Sequence, residues 1–129
     1  MTATALTDQF GRGHRDLRVS LTDHCSLRCT YCVPAELSDW IPGDHLLTAD
    51  EIVEVVSSAV SRGIRTIRLT GGEPLLNPYA VDIVRRIAGL HDAPEVSMTT
   101  NGLRLAQLAK PLAEAGLSRV NVSLDTLDW

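Results

Sequence analysis

The chain has 129 residues, about the length of one domain, and 44% of them are hydrophobic, which is enough to build a core. Its net charge of −4 gives no reason to expect a nucleic acid or an anionic membrane as a partner. No apolar run approaches the roughly 20 residues that span a bilayer, and the N-terminus lacks the basic start and apolar stretch of a signal peptide. We therefore predict a cytoplasmic protein, in which thiols stay reduced.

The N-terminal third contains one predicted strand followed by a cysteine-rich loop. Residues 1–16 show no periodicity and are predicted to be a flexible arm. The stretch LRVSL, residues 17–21, alternates between apolar and polar residues and is predicted to be a strand. The stretch CSLRCTYC, residues 25–32, follows at the strand's C-terminal end, and Pro34 and Pro42 keep the chain irregular until about residue 47.

A first helix and a second strand follow the loop. Thr48 and Glu51 form a capping-box pattern, and an apolar face then recurs at helical spacing until Gly63, which is placed to end the helix. The face is formed by Ile52, Val55, Val56, Ala59 and Val60. Residues 64–69 are predicted to be the second strand, with Thr66, Arg68 and Thr70 on its polar face. The turn GGEP, residues 71–74, follows at its C-terminal end.

Two further helices alternate with two further strands. Asn77 and Pro78 are predicted to be the N-cap and the first residue of a helix whose apolar face is formed by Ala80, Ile83, Val84 and Ile87. Residues 95–100 are predicted to be the third strand, with Ser97 and Thr99 on its polar face. Residues 104–115 are predicted to be a helix, with Leu105, Leu108, Ala109 and Leu112 inward and Gly116 as its stop. Residues 119–124 are predicted to be the fourth strand.

The order βαβαβαβ predicts a parallel sheet with right-handed crossovers. Each strand has one apolar and one polar face, which favours helices on one side of the sheet and a polar cavity on the other. We therefore predict an α/β fold over residues 17–129, an incomplete (β/α) barrel of about four parallel strands with helices on its outer face. In such barrels the active site lies at the C-terminal ends of the strands, where the cysteine loop, GGEP, Thr100, Asn101 and Asp125 fall.

Four strands of this kind leave an open sheet edge and an unfilled lumen. Either a partner completes the sheet, or the chain is the N-terminal piece of a longer protein. We favour the second explanation.

The three cysteines, with the spacing C-x3-C-x2-C, suggest a metal centre. Three is an odd number for a disulfide framework, and Cys25, Cys29 and Cys32 are the only cysteines in the chain. A zinc site would want a fourth ligand, for which His24, His14 and His45 are weak candidates. An iron–sulfur cluster usually takes four cysteines, so three would leave one iron open for a substrate or cofactor.

The cysteine loop and GGEP together resemble the two motifs of the radical SAM superfamily. The stretches LTDQFGRGHRDLRVSLTDHCSLRCTYCVPAE, IRLTGGEPLL, TTNG and RVNVSLDTL, within residues 6–129, further resemble the N-terminal part of the GTP 3′,8-cyclases of molybdenum-cofactor biosynthesis. The resemblance implies a [4Fe-4S] cluster on Cys25, Cys29 and Cys32 whose open iron binds S-adenosyl-L-methionine. It also implies an external electron donor and conversion of GTP to 3′,8-cyclo-7,8-dihydro-GTP. The resemblance further implies a homodimer for the full-length family.

The resemblance also implies three contacts with S-adenosylmethionine, at Tyr31, Gly72 and Ser123. Tyr31 could equally be a ring packed under the loop. Gly72 could be a plain turn glycine, although a glycine also permits close approach of the backbone to a ligand. The position of Ser123 on the polar face of its strand supports the assignment independently.

The GTP contacts implied by the resemblance are Arg18, Arg68 and Thr99, all on the predicted lumen face. Arginines there need an anionic partner, which a triphosphate would supply. The alternative is a structural network with Asp23, Glu73 or Asp125. Thr66 stands where the family often has lysine, which puts one phosphate contact in doubt.

Other functions remain open from the sequence. The chain could belong to another radical SAM enzyme, such as a peptide-modifying maturase, or be a non-enzymatic three-cysteine metal-binding module, or be an inactive remnant. The later strands and the second, C-terminal cluster of the cyclases have no counterpart among these residues. We therefore expect the 129-residue chain not to turn over GTP by itself.

Overall fold

The computed structural model describes residues 4–32, 36 and 39–128, so the prediction for Pro34 lies outside the described residues. Within them the chain forms four strands and three α-helices, with two short 3-10 turns at Gly43–His45 and Pro74–Leu76. In chain order the elements are β1 (Asp16–Ser20), α1 (Ala49–Ser61), β2 (Thr66–Thr70), α2 (Ala80–Ala88), β3 (Glu95–Thr100), α3 (Leu105–Ala115) and β4 (Arg119–Val122).

The four strands form one parallel sheet in the order β1-β2-β3-β4, so each strand pairs with the next along the chain. This confirms the predicted α/β class and the open, incomplete barrel. Arg18 lies opposite Arg68, and Ser97 lies opposite Arg119. Because side chains alternate along a strand, this register puts the four residues in one row across the same face of the sheet.

The hydrophobic core lies between the other face of the sheet and the helices. Ile67, Leu69 and Met98 from the strands are fully buried, as are Val56 and Val84 from α1 and α2. Burial of an aliphatic side chain of this size contributes about 1.5–3 kcal/mol, so this layer supplies most of the stabilisation. The alternation of apolar and polar residues along the strands therefore determines which face of the sheet packs on the helices and which face is left uncovered by them.

The capping box predicted at the start of α1 is confirmed. The Thr48 hydroxyl accepts a hydrogen bond from the Glu51 amide at 3.3 Å, and the Glu51 carboxylate accepts one from the Thr48 amide at 2.7 Å. The bond from the Thr48 amide, together with one from the Thr48 hydroxyl, holds the pKa of Glu51 below its usual value, because both favour the ionised carboxylate. Gly63, which follows the helix, has a φ of +106°, a conformation that favours glycine.

The predicted start of α2 is wrong. The helix begins at Ala80, and Pro74–Leu76 forms a separate 3-10 turn, so Asn77 and Pro78 lie between two elements. The side chain of Asn77 accepts a hydrogen bond from the Tyr79 amide and donates one to the Leu21 carbonyl, 56 residues away. That contact with the end of β1 fixes Asn77 outside the helix.

Two residues assigned to inward helix faces are exposed, which corrects those assignments. Val55 in α1 is 53% exposed, and Ala109 in α3 is also exposed. The helices cover the sheet on one side only, so each buries a narrower stripe than its apolar pattern offers. The observed strand limits differ from the predicted ones by at most two residues.

The segment before β1 contains a small hydrogen-bonded turn. Thr7 and Gly13 form an antiparallel bridge, and the Asp8 carboxylate accepts from the amides of Phe10 and Arg12 at 2.8 and 3.0 Å. The Leu6 amide donates to the Arg62 carbonyl at the end of α1. None of the described helices has the length and hydropathy that a membrane span requires.

Candidate functional site

A cleft of about 540 Å³ lies at the C-terminal ends of β1 and β2. Its lining brings together the end of β1, the cysteine loop and the GGEP turn, with Ser20, Thr22, Cys32, Trp40 and Gly72 among its walls. The two sequence motifs, separated by about forty residues, are therefore neighbours in space. This is the end of the sheet at which a parallel α/β fold places its ligands.

The three cysteines are free thiols. Cys25 and Cys29 are half-buried and Cys32 is exposed, and the Cys32 amide donates to the Cys29 carbonyl at 2.9 Å. Among the described residues, no three His, Cys, Asp or Glu side chains are gathered closely enough to hold a metal ion. The donor set nevertheless fits an iron–sulfur cluster, because three accessible thiols on one short loop can converge when the metal binds.

The GGEP turn is packed directly against the start of the cysteine loop. The Gly72 amide donates to the Thr22 carbonyl at 2.8 Å, and the Glu73 amide donates to the His24 carbonyl at 2.7 Å. A Cβ on Gly72 would collide with the carbonyl oxygens of Asp23 and His24. Glycine is needed here because two backbone segments meet, and no ligand has to be invoked for that requirement.

The Glu73 side chain links the turn after β2 to the end of β3. Its side chain is 1% exposed and accepts hydrogen bonds from the amides of Leu75 and Asn101 at 3.1 and 2.7 Å. It also accepts a bond of 2.5 Å from the hydroxyl of Thr100, the last residue of β3. A buried carboxyl group with three donors stabilises the turn, so Glu73 has a structural role here.

Trp40 packs on the first half of the cysteine loop. Its ring is stacked with His24, with centroids 5.2 Å apart and planes at 24°, and the Arg28 guanidinium lies 4.6 Å from the ring centroid. One oxygen of Asp23 accepts from the Ile41 amide at 2.7 Å. The other is buried, accepts no well-aligned hydrogen bond and lies 3.0 Å from Nδ1 of His24. The segment around residue 40 therefore forms one wall of the loop.

Two side-chain hydrogen bonds join the cysteine loop to the ends of later strands. The Tyr31 hydroxyl donates to the Asp125 carboxylate at 2.7 Å, and the Asn101 amide group donates to the Ser26 hydroxyl at 3.2 Å. The bond to Asp125 is the main cause that raises the pKa of Tyr31, followed by burial and a hydrogen bond with Cys29. The Tyr31 ring is 75% exposed, so it is not packed beneath the loop.

The polar face of the sheet carries the predicted substrate residues. Arg18 is exposed, whereas Arg68 and Thr99 are half-buried. The two arginines are in register on adjacent strands, so their backbones lie about 5 Å apart. Within the described part of the chain neither guanidinium has an ion pair or hydrogen bond, and the structural network suggested as an alternative does not form.

The acids suggested for that alternative network are engaged elsewhere. Asp23 contacts the Ile41 amide and His24, Glu73 serves the GGEP turn, and Asp125 binds Tyr31. Arg119, in the same row of the sheet, lies 3.3 Å from Glu95. Two guanidinium groups on adjacent strands, without an anionic partner among the described residues, have the charge and the donors to bind an anion.

Ser123 lies one residue beyond β4 and is exposed. Its amide donates to the Thr100 carbonyl at 2.8 Å, which continues the pairing of β3 and β4. The structure thus places all nine predicted site residues on the polar face or at the C-terminal edge of the sheet. Asn101 and Asp125 were expected near the site because each follows a strand, whereas Trp40, eight residues beyond Cys32, had no sequence signal.

Comparison with known proteins gives a match to one family model over most of the chain. The model described as the radical SAM superfamily matches residues 19–129. That range includes all three cysteines, the GGEP turn and the four-stranded sheet except for the first part of β1.

Several curated proteins are similar to the chain over nearly its whole length. A GTP 3′,8-cyclase of Mycobacterium sp. (strain KMS) is 55% identical over 128 residues, covering 98% of this chain and 37% of the relative. A GTP 3′,8-cyclase of Streptomyces coelicolor is 56% identical over 126 residues, covering 97% of this chain and 37% of the relative. The chain therefore spans a little over a third of the length of these curated relatives.

Proposed function

The chain belongs to the radical SAM superfamily, and we propose that it forms the cluster-binding part of a GTP 3′,8-cyclase. Such an enzyme would convert GTP to 3′,8-cyclo-7,8-dihydro-GTP for molybdenum-cofactor biosynthesis. The observation that carries the proposal is that Arg18 and Arg68, which have no anionic partner among the described residues, share the polar face of a sheet whose C-terminal edge carries the three-cysteine loop. A peptide-modifying radical SAM enzyme would need the cysteine loop but not the arginine pair.

Cys25, Cys29 and Cys32 would hold a [4Fe-4S] cluster. When bound, this cluster would supply the electron, taken from an external donor, that cleaves S-adenosyl-L-methionine. Tyr31 is exposed beside the cysteines and Gly72 lines the cleft, so both are available to contact that cofactor. Ser123 stands at the same edge, on the polar face. The chain's own task is to orient the cofactor above the open sheet.

Arg18, Arg68 and Thr99 would bind GTP. Two guanidinium groups on neighbouring strands match the charge of a triphosphate, and an arginine forms paired hydrogen bonds with phosphate oxygens. Thr99 lies on the row of the sheet nearest the cysteine loop, opposite Asn121. The arginines lie before Thr99 along the strand direction. The phosphates of GTP would therefore lie farther from the C-terminal edge of the sheet, and the sugar would lie nearer the cofactor.

The cellular setting is part of the same proposal. A reduced cluster and free thiols suit a cytoplasmic protein. The net charge of −4 does not favour a nucleic acid as a partner. The homodimer expected for the full-length family is not assigned to any of the residues described above.

Anaerobic reconstitution with iron and sulfide tests the cofactor assignment. We expect a brown protein with a reduced electron paramagnetic resonance signal that shifts when S-adenosylmethionine is added. A colourless protein that retains one zinc ion would contradict the proposal and favour a metal-binding module.

Equilibrium binding of GTP tests the substrate assignment. Because each charge-assisted hydrogen bond contributes about 1.5–3 kcal/mol, Arg18→Gln and Arg68→Gln should each weaken binding by about tenfold or more. Arg62→Gln is the matched control, since Arg62 is an exposed arginine at the end of α1, away from the polar face. Equal weakening by all three substitutions would show that the arginine pair is not the binding site.

A further inference from the structure

The cysteine loop is anchored at its beginning by backbone and farther along by side chains. The carbonyls of Thr22 and His24, just before Cys25, accept the amides of the GGEP turn. In the second half of the loop, Tyr31 is the residue that reaches a later strand, through its 2.7 Å bond to Asp125. Tyr31 lies between Cys29 and Cys32 in sequence, so its position constrains both.

Asp125 reaches the loop because β4 carries it there. The Ser123 amide continues the pairing with β3 at the Thr100 carbonyl, which directs the next residues across the C-terminal edge of the sheet. Asp125 lies 94 residues from Tyr31 in sequence. It forms no ion pair with any basic side chain in the described ranges, so Tyr31 is the partner that its carboxylate engages.

A second, weaker anchor supports the first half of the loop. The Asn101 side chain donates to the Ser26 hydroxyl at 3.2 Å, next to Cys25. Asn101 is itself fixed, since its amide donates to buried Glu73 and its side-chain oxygen accepts from the Leu103 amide. The ends of β3 and β4 therefore each hold one half of the cysteine loop.

We infer that Asp125 is a positioning residue for the proposed cluster site, acting through the Tyr31 hydroxyl to hold Cys29 and Cys32 at the open end of the sheet. This inference rests on the proposed function for the meaning of the site, but the bond itself is independent of any cofactor. Among the described residues, it is the side-chain hydrogen bond that joins the second half of the loop to a later strand, where the loop otherwise has its own backbone turn. Asp125 itself need not touch the cluster, the cofactor or GTP.

Thiol alkylation of the metal-free, reduced chain tests the bond directly. Asp125→Ala and Tyr31→Phe should each raise the alkylation rate of Cys29 by about fivefold, the factor expected when one net hydrogen bond no longer opposes loop opening. The double variant should react no faster than Tyr31→Phe, because that substitution already removes the bond to Asp125 together with the contact between the Tyr31 hydroxyl and Cys29. Peptide mass spectrometry assigns the reacted cysteine.

Asp128→Ala is the matched control. Asp128 is an exposed aspartate three residues farther on, and its side chain makes no bond in the described part of the chain. It should leave the alkylation rates unchanged. The melting temperature of every variant should also stay near that of the parent chain, since Tyr31 and Asp125 are both exposed.

The reconstituted protein supplies a second readout. Asp125→Ala should still take up iron, but its resonance signal should require about fivefold more S-adenosylmethionine to shift, whereas Asp128→Ala should behave like the parent. Asp125→Ala is decisive here, because Tyr31→Phe also changes a proposed cofactor contact. Parent-like alkylation and parent-like cofactor response in Asp125→Ala would overturn the inference, and so would additive effects in the double variant.

Failure of the proposed function gives a different result. If the parent chain takes up no cluster, the cofactor assignment fails, and the alkylation rates of the metal-free chain still decide whether Asp125 positions the cysteines. If the parent takes up a cluster and only the Asp125 variant responds poorly to the cofactor, both proposals stand.

Discussion

Replacement of Glu73 by glutamine should destabilise the chain strongly, although it changes only one atom. Both carboxyl oxygens accept hydrogen bonds, one from the Asn101 amide and the other from Leu75 and Thr100. The Thr100 hydroxyl accepts from the Gly102 amide, so its own proton is directed at Glu73. In either orientation a glutamine NH₂ would face a backbone N–H group. One backbone donor is then left without an acceptor.

The expected cost follows from burial. Glu73 is 1% exposed, so water does not replace the lost acceptor. A buried donor left unsatisfied costs about 1–3 kcal/mol, and hydrogen bonds to a charged group contribute about 1.5–3 kcal/mol. We expect Glu73→Gln to lower the free energy of unfolding by about 2–3 kcal/mol. For a domain of this size that corresponds to a melting temperature lower by roughly 10 °C.

Thermal and urea unfolding followed by circular dichroism measure this change. Glu114→Gln is the control, because its side chain is 65% exposed and lies 3.9 Å from the exposed Lys110 ammonium. An exposed pair of this kind contributes at most about 1 kcal/mol. A Glu73→Gln protein that melts within about 3 °C of the parent would refute the claim that this carboxyl group is fully engaged by donors.

Four further outcomes are expected. Gly72→Ala should impair folding or displace the cysteine loop, because its Cβ would collide with two backbone carbonyls, and alkylation of the cysteines should then accelerate. Thr48→Ala should lower the free energy of unfolding by about 1 kcal/mol at neutral pH, measured in urea. Glu51 has a lowered pKa, so its contribution is present above its unfolded value of 4.5 and should be lost as the pH falls through the folded value. Trp40→Leu should also accelerate alkylation of the cysteines, because it removes the ring on which His24 stacks.

Three of these outcomes have a control or a result that would contradict them. Gly43→Ala is matched to Gly72→Ala, because a Cβ at Gly43 meets no atom within 4 Å, and it should leave alkylation unchanged. A Glu51→Gln protein should lose the acid dependence assigned to that residue, and an unchanged acid profile would exclude it as the cause. Parent-like alkylation of Trp40→Leu would show that the ring does not restrain the loop.

The strands and the first helix could be predicted because their signals are local. Alternation identified all four strands, and Thr48 with Glu51 marked the start of α1. The start of α2 could not be predicted in the same way. Asn77 has a side chain typical of an N-cap, but its side-chain amide donates a hydrogen bond to the Leu21 carbonyl. In addition, Glu73 caps the 3-10 turn Pro74–Leu76, which ends just before Asn77. A contact across the chain prevailed over a local preference.

The same distinction between local signals and long-range contacts applies to the candidate site. Strand parity placed Arg18, Arg68 and Thr99 on one face, because a period of two needs no knowledge of neighbouring elements. The bond between Tyr31 and Asp125 joins residues far apart in sequence, and no periodicity encodes such a pair. The crowding at Gly72 was equally hidden, since the two motifs had to be brought into contact before it appeared.

The contacts at the C-terminal edge of the sheet explain how a loop whose three thiols are not gathered around one point could serve as the proposed metal site. The GGEP turn, Asn101 and Asp125 follow β2, β3 and β4, and all three contact the cysteine loop at one edge of the sheet. Because the strands are parallel, their C-terminal ends meet there without any further device. The sheet thus fixes where the loop lies, while the three thiols are not gathered around one point in the described part of the chain. A metal centre that binds the thiolates would supply the remaining constraint, so the energy of binding would be spent on closing a short loop and not on assembling a fold.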